Sequence, residues 1–390
     1  MLIGKNFDDI DATTIQTLIE AGATESIYLE FKRDTYGGTD ADKREFLKDV
    51  SAFSNCLGGH MIIGVREEDG AAASVSPVKG VDIDAELLRL DGIIRTAIEP
   101  KIVGFLMKSI EVDDGHVIAI QIPRSYNPPH RVIFKNWNRF FSRNAAGTYE
   151  LSLEELRMQF GEQRTIEERA KSFSNERFLR IQANDGMIPN PATDSAMVMH
   201  LIPLSDFGAD RRIDMATLKE HSSCFRPIGT YGSSGRFNLE GFRVDSGGSV
   251  CTGYTQIFRN GSVEAVSFDS ISSRNSKRLI PSMALPTHLT NSLNSYMEGM
   301  RKIDASPPFL IKISFSSMAG VGLAVDPSRA FEMTHEYERD TLSLPPSLIS
   351  EYENSDNYEP VVAEQMDFLW NAYGYERCFY YDEAGKWIAN

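Results

Sequence analysis

A helical stripe that halts at a glycine pair and resumes at once as an unbroken apolar run is what most narrows the folds open to this chain. Phe46, Val50 and Phe53 recur at helical spacing over Asp40–Leu57, Gly58-Gly59 breaks the pattern, and His60-Met61-Ile62-Ile63-Gly64-Val65 follows. Apolar residues three and four apart mark one face of a helix, whereas a short apolar run between breakers is a buried strand. A helix that turns straight into a buried strand belongs to a sheet with helices packed on it. The flanking segments extend this pattern. Asp11 is placed to cap a helix carrying Ile15, Leu18 and Ile19, with Ile10 as its staple and Gly22 as its stop. Alternation over Glu25–Lys32 predicts a strand with Ile27, Leu29 and Phe31 inward and Tyr28, Glu30 and Lys32 on the other face. A helix at Ala85–Ile98, strands near Ile102–Val112, His116–Ile122, Arg131–Phe134 and Arg139–Ser142, and a helix from Leu153 complete the series. The expected class is α+β: an N-terminal mixed sheet with flanking helices, followed by a second α+β domain.

A chain of 390 residues exceeds the ~250 that one core usually serves. The expected division is a domain over 1–165, a charged helical linker over 166–190 around Glu167-Glu168-Arg169-Ala170-Lys171, and a second domain over 191–390. In the latter, Val198–Ile202, Gly241–Val244, Gly253–Arg259 and Phe309–Phe315 read as strands, and Leu289–Arg301 and Pro360–Ala372 as helices. Asn260-Gly261 within Thr255–Glu264 is a hairpin turn. Cys56, Cys224, Cys251 and Cys378 have no C-x-x-C spacing, which speaks against zinc and disulfides and for a reducing cytoplasm. The first residues hold no apolar run of secretory type, and no stretch approaches the ~20 apolar residues of a membrane span.

Net charge is −15, unlike a general nucleic-acid coat protein. Its distribution is uneven, however. Residues 115–149 contain no acid but hold Arg124, Arg131, Lys135, Arg139 and Arg143, interleaved with Tyr126, Phe134, Trp137, Phe140 and Phe141. Cations suit phosphates and aromatic faces suit unpaired bases, so the mixture fits single-stranded or loop RNA. The competing reading puts about half of these aromatics in the core. Arg139 and Arg143, with Lys135 behind them, are the residues expected to face a phosphate.

Carboxylates form the other constellation: Glu25, Glu30, and the acidic turn Glu67-Glu68-Asp69. Hard cations such as Mg²⁺ take carboxylate oxygens and water, and Lys32 would add a fixed positive charge beside a phosphate. Five residues along a regular strand reach opposite faces, so Glu25 must precede the strand or lie across a bulge to join Glu30. The plainer alternative is a set of solvated surface carboxylates. Gly58, Gly59 and Gly64 match no phosphate-loop pattern and end a helix instead of opening one, which leaves ATP little support. Among His60, His116 and His130, the last sits in Pro129-His130-Arg131, open either to a role at the site or to turn packing.

The order Glu25-Ser26-x-x-x-Glu30-Phe31-Lys32, a helix ending Asn55-x-x-Gly58-Gly59, a strand ending Ile63-Gly64-Val65 and an acidic turn resembles the Schlafen AlbA-type domain. Ile122-Pro123-Arg124, Pro129-His130-Arg131, Arg139-Phe140-Phe141-Ser142-Arg143 and Leu153-Glu154-Glu155-Leu156 are similar to its closing pattern, so the resemblance spans about Thr24 to Phe160. It implies a Mg²⁺- or Mn²⁺-dependent endoribonuclease for structured RNA such as tRNA, in antiviral defence or stress. Carried over by position, Glu25 and Glu30 are the first two metal-binding acids. The family's G-V-D-D turn reads Gly64-Val65-Arg66-Glu67 here, leaving Glu67, Glu68 or Asp69 as the third. Arg124, His130, Arg131, Lys135, Arg139 and Arg143 become the nucleic-acid contacts. One lobe is present where the eukaryotic nucleases pair two, which implies a homodimer or a groove closed by the C-terminal domain. The other reading is a non-catalytic regulator that binds RNA, DNA or ATP.

Overall fold

The computed structural model describes residues 7–112, 115–190, 195–207, 212–230, 234–274, 277–325, 335–353 and 357–388. The chain divides into two compact units, Met1–Glu167 and Glu168–Asn390.

The first unit begins with α1 (Ala12–Glu20), where Asp11 accepts from Thr14 N–H in a capping box and Gly22 follows in the left-handed region. Then come β1 (Leu29–Lys32), α2 (Asp40–Ser54), β2 (Gly59–Ile63), β3 (Val65–Glu68), β4 (Ala71–Val75), α3 (Ile83–Ala97) and β5 (Ile98–Glu99). The unit closes with β6 (Leu106–Val112), β7 (Gly115–Ile122), β8 (Arg131–Phe134), β9 (Trp137–Asn144), β10 (Gly147–Glu150) and the start of α4 (Leu153–Gln182). One sheet has the order β1-β2-β7-β6 and is mixed, since β1 and β2 are parallel and the other pairs antiparallel. On one face Met61, Ile63, Ile118 and Ile120 pack with Phe46, Val50 and Phe53 of α2 and Leu90 and Ile94 of α3. On the other, Leu29, Phe31, Ile62, Val117 and Ala119 meet Ile15 and Leu18 of α1. The turn from α2 to β2 is tight: Gly58 has φ 68, and a Cβ there would stand 2.4 Å from the Arg124 backbone nitrogen. A second sheet, β10-β9-β8-β5, packs against α2.

Three local expectations change. The strand expected over Glu25–Lys32 begins at Leu29, because Ser26 and Leu29 exchange backbone hydrogen bonds and turn the chain ahead of it. The apolar run His60–Val65 is divided by Gly64 at φ 100, so Val65 opens a new strand. The acidic turn is the first arm of the β3–β4 hairpin, whose bend falls on Asp69 and Gly70 at φ 52 and 75.

The second unit holds the rest of α4, then β11 (Ala196–Pro203), α5 (Leu204–Phe207), α6 (Met215–Glu220), β12 (Ser234–Asn238), β13 (Gly241–Asp245), β14 (Gly253–Phe258) and β15 (Val263–Ser267). It continues with β16 (Ser272–Arg274), β17 (Lys277–Pro281), α7 (Ala284–Lys302), β18 (Phe309–Ser316), β19 (Val321–Ala324), β20 (Leu342–Ser343), β21 (Ser347–Ile349) and α8 (Glu359–Asn371). An antiparallel sheet of order β12-β13-β14-β15-β11-β18-β20, with β21 also on β18, buries one face against α7 and α8. Its other face takes Phe178 and Ile181 of α4. Asn260-Gly261 turns β14 into β15 as expected, with Gly261 at φ 83. Among the described residues no helix is long and apolar enough to cross a membrane.

Candidate functional site

Glu25 precedes β1, and the backbone explains where it goes. Its N–H donates to Gly70 O at 2.8 Å, Ala72 N–H donates to Ala23 O, and Thr24 bridges Ala71, so residues 23–25 run along the tip of the β3–β4 hairpin. The Glu25 carboxylate then folds back to accept from Phe31 N–H at 2.9 Å. Freed from strand alternation, it comes into hydrogen-bond contact with Glu67 and within Coulombic reach of Glu30. Glu68 is committed to Arg66 at 2.9 Å, and Asp69 lies exposed in the bend, so Glu67 is the acid of that hairpin beside Glu25. Burial, then the charges of Glu30 and Glu67, push the Glu25 carboxyl up to about 7, against the Phe31 hydrogen bond.

Glu30 and Lys32 stand at the edge of the mixed sheet on the α2 side. Lys32 Nζ is 2.9 Å from Glu30 Oε1, 3.4 Å from Asp49 Oδ2 and 3.8 Å from Glu45 Oε1. Arg143 approaches from β9, donating Nη2 to Glu30 Oε2 and to Ser26 O, both at 2.9 Å. Burial works against the Glu30 charge, but Lys32 and Arg143 hold its carboxyl below the usual range. Burial opposes the Lys32 charge as well, and Asp49, Glu30 and Glu45 more than compensate, holding the ammonium above the ordinary lysine range. Lys32 is therefore a fixed cation with no part to play as a base. These side chains, with Lys48, Thr148 and the bend Asn144–Gly147, line a cleft of about 240 Å³.

Arg143 is 4 % exposed, with its guanidinium 3.7 Å over the Phe53 ring. It acts as the counter-charge to Glu30 more than as a surface contact. The other basic residues expected to meet a phosphate disperse. Arg131 pairs with Glu99 at 2.6 Å, Arg139 with Glu150 at 2.7 Å, and Lys135 with Asp40. Arg124 is half-buried beside Gly58. His130 lies in the interior: Nδ1 meets Pro100 O and Nε2 meets Ser125 Oγ, each at 2.6 Å, while its backbone is clasped by Asn55. Burial lowers its imidazole to about 4, which leaves a neutral turn-packing residue at physiological pH. The aromatics also have local partners, Trp137 with Phe141 and Phe140 with Phe160.

Asp49, Glu45, Tyr36 and Thr148 went unmarked in the sequence. A signal was present: Glu45 and Asp49 are four apart on α2, on the face beside the Phe46–Val50–Phe53 stripe, where a charged residue is out of place unless partnered.

An α+β domain whose edge strand, helix and neighbouring hairpin lend acids and bases to one polar cleft is the class that this geometry defines. The family is specific: residues 25–152 match the model described as Schlafen, AlbA_2, and the first unit carries a domain of that family. A nucleic-acid-related role goes with it. No curated protein matches the chain. Among solved structures, the DIP2311 protein of Corynebacterium diphtheriae is 17 % identical over 38 % of this chain and 28 % of its own length, with a TM-score of 0.26. The N-terminal domain of a RecG-related protein of Nitrosomonas europaea is 15 % identical over 30 % of this chain and 74 % of its own, with a TM-score of 0.24. Likenesses this weak carry no functional argument.

Proposed function

We propose that the first unit is a divalent-metal-dependent endoribonuclease centre for structured RNA, tRNA-like in form, working in the cytoplasm in defence or stress. The observation that carries the reading is the approach of Glu25 to both Glu67 and Glu30 beside the fixed cation of Lys32. A half-buried carboxyl set against two like charges is a poor arrangement for stability and a suitable donor set for a hard cation. Among the described residues no three acidic, histidine or cysteine side chains stand in ready ligand geometry, so the metal belongs to the proposal. Glu25, Glu30 and Glu67 would hold it, with Asp69 in reserve. Mg²⁺ or Mn²⁺ bound there supplies a Lewis acid to a phosphodiester. Lys32 holds positive charge at the phosphate oxygens, and Arg143 keeps the Glu30 carboxylate ionised and aimed.

Glu30→Gln in the full chain is expected to abolish Mn²⁺-dependent cleavage of total tRNA while RNA binding changes less than about twofold. Equal loss of binding and cleavage would remove the catalytic assignment. A second reading, a binding regulator without catalysis, is favoured by Arg66 where the family has an aspartate. Intact tRNA with wild type and mutant alike, in either metal, would select it.

A further inference from the structure

Three acids share the Lys32 ammonium, and only Glu30 belongs to the proposed metal-binding set. Asp49 is 3 % exposed. Its Oδ2 accepts from Tyr36 OH at 3.0 Å and faces Lys32 Nζ at 3.4 Å, while Thr148 Oγ1 reaches Oδ1 at 3.5 Å. A carboxylate in the helix face that packs on a sheet is expensive, and an apolar side chain would serve the fold there as well or better. Tyr36 and Thr148 are neutral, so Lys32 is the group that gives the charge its purpose. With Glu30 alone, the ammonium would settle against that carboxylate and cancel it. Asp49, with Glu45 beyond it, draws the ammonium toward α2 and fixes it between strand and helix, on the wall of the cleft.

We propose that Asp49 is a positioning residue, which holds the Lys32 ammonium on the cleft wall where a phosphodiester is met. The inference rests on the reading of the cleft as a phosphodiester site. Burial and the neighbouring Glu30 raise the Asp49 carboxyl, while Lys32 and Lys48 work to keep it ionised.

Two measurements on the full-length protein test it. The first is competitive acetylation with acetic anhydride, read lysine by lysine by mass spectrometry. Asp49→Asn keeps an acceptor for Tyr36 and is expected to retain the fold. Lys32, released from its 3.4 Å contact with Asp49, should then acetylate severalfold faster, with exposed lysines such as Lys101 unchanged. An unchanged Lys32 rate in folded protein overturns the proposal. Should the variant fail to fold, Tyr36→Phe takes its place. It removes a hydrogen bond from the Asp49 carboxylate, which then binds Lys32 more tightly, and Lys32 acetylation should slow severalfold; no change overturns the proposal.

The second is a double-mutant cycle on tRNA cleavage. Asp49→Asn should lower kcat about tenfold with KM nearly constant, Asp49→Glu should recover part of it, and in the Lys32→Met background Asp49→Asn should have no further effect. Additive losses overturn the proposal. If the wild-type protein cleaves no RNA in any divalent metal, the nuclease reading fails, and the acetylation rates still decide the role of Asp49.

Discussion

Glu25 ties the local chemistry to a measurable property of the whole chain. Its carboxyl is pushed up to about 7 in the folded protein, above the usual 4.5 of a glutamate, through burial first and then, against the Phe31 hydrogen bond, the charges of Glu30 and Glu67. A carboxyl raised by folding contributes stability that is fully present below the unfolded pKa and is lost as pH climbs through the folded one. Wild-type protein should therefore lose stability between about pH 4.5 and 7 on this account. Glu25→Gln should flatten that slope and leave the protein more stable at pH 8, by about 1 kcal/mol once half-exposure is discounted. Urea unfolding at pH 5 and pH 8 checks it; an unchanged difference between the two variants would mean that the three carboxyls do not interact. Millimolar Mn²⁺ should stabilise the wild type at pH 8 and leave Glu25→Gln nearly unmoved, because the cation competes for the same repulsion.

At the scale of elements, the informative contrast lies between local and distant partners. The α1 cap, the Gly58-Gly59 turn and the Asn260-Gly261 hairpin were legible because each is decided within a few residues. The placement of Glu25 was not, since it depends on pairing with Gly70 and Ala71 across a hairpin whose arms have weak strand patterns. The cleft was half legible: Glu25, Glu30 and Lys32 could be marked in one short segment, whereas Asp49 acquires meaning only when α2 packs on β1. The second unit makes the same point more strongly. Arg243, Gln256, Glu264, His200 and Lys312 are register partners in turn across β13, β14, β15, β11 and β18, a polar row on a buried face. From α4, Arg177 enters it with Nε 2.7 Å and Nη2 2.9 Å from the two Glu264 oxygens. Burial opposes the Glu264 charge, but Arg177 and His200 take its carboxyl down to about 2. The pair's stability is thus present above about pH 4.5 and is lost as pH falls toward 2. Glu264→Gln, which leaves the Arg177 charge only its 3.4 Å contact with Glu240, should cost about 3 kcal/mol at neutral pH, while a double change of Arg177 and Glu264 to Met should recover most of it. Urea midpoints of the three proteins decide between a stabilising pair and one that only selects how α4 docks.

At the scale of the molecule, a net charge of −15 makes the fate of a few cations decide how a polyanion is met. The acid-free window at 115–149 reads as a basic surface, yet acids from elsewhere in the unit close on it: Glu99 on Arg131, Asp40 on Lys135, Glu150 on Arg139 and Glu30 on Arg143. An ion-paired arginine adds little net counterion release when it meets a phosphate, because the carboxylate it leaves behind gathers cations as the RNA gives them up. The slope of log affinity against log salt should accordingly be small for a single-stranded RNA, near −1 to −2, where a free row of such cations would give about −3 or steeper. The pairs at Arg131 and Arg139 are solvent-facing and individually weak, so strong RNA contacts could outcompete them. Removing their partners separates the two cases. In Glu99→Gln with Glu150→Gln, affinity at low salt should rise severalfold and the slope steepen by about 1.4 if Arg131 and Arg139 face the strand. Fluorescence anisotropy over 50–300 mM salt reads both quantities. An unchanged slope would move RNA contact away from the β8–β9 face and leave Lys32, inside the cleft, as the cation that meets the phosphate.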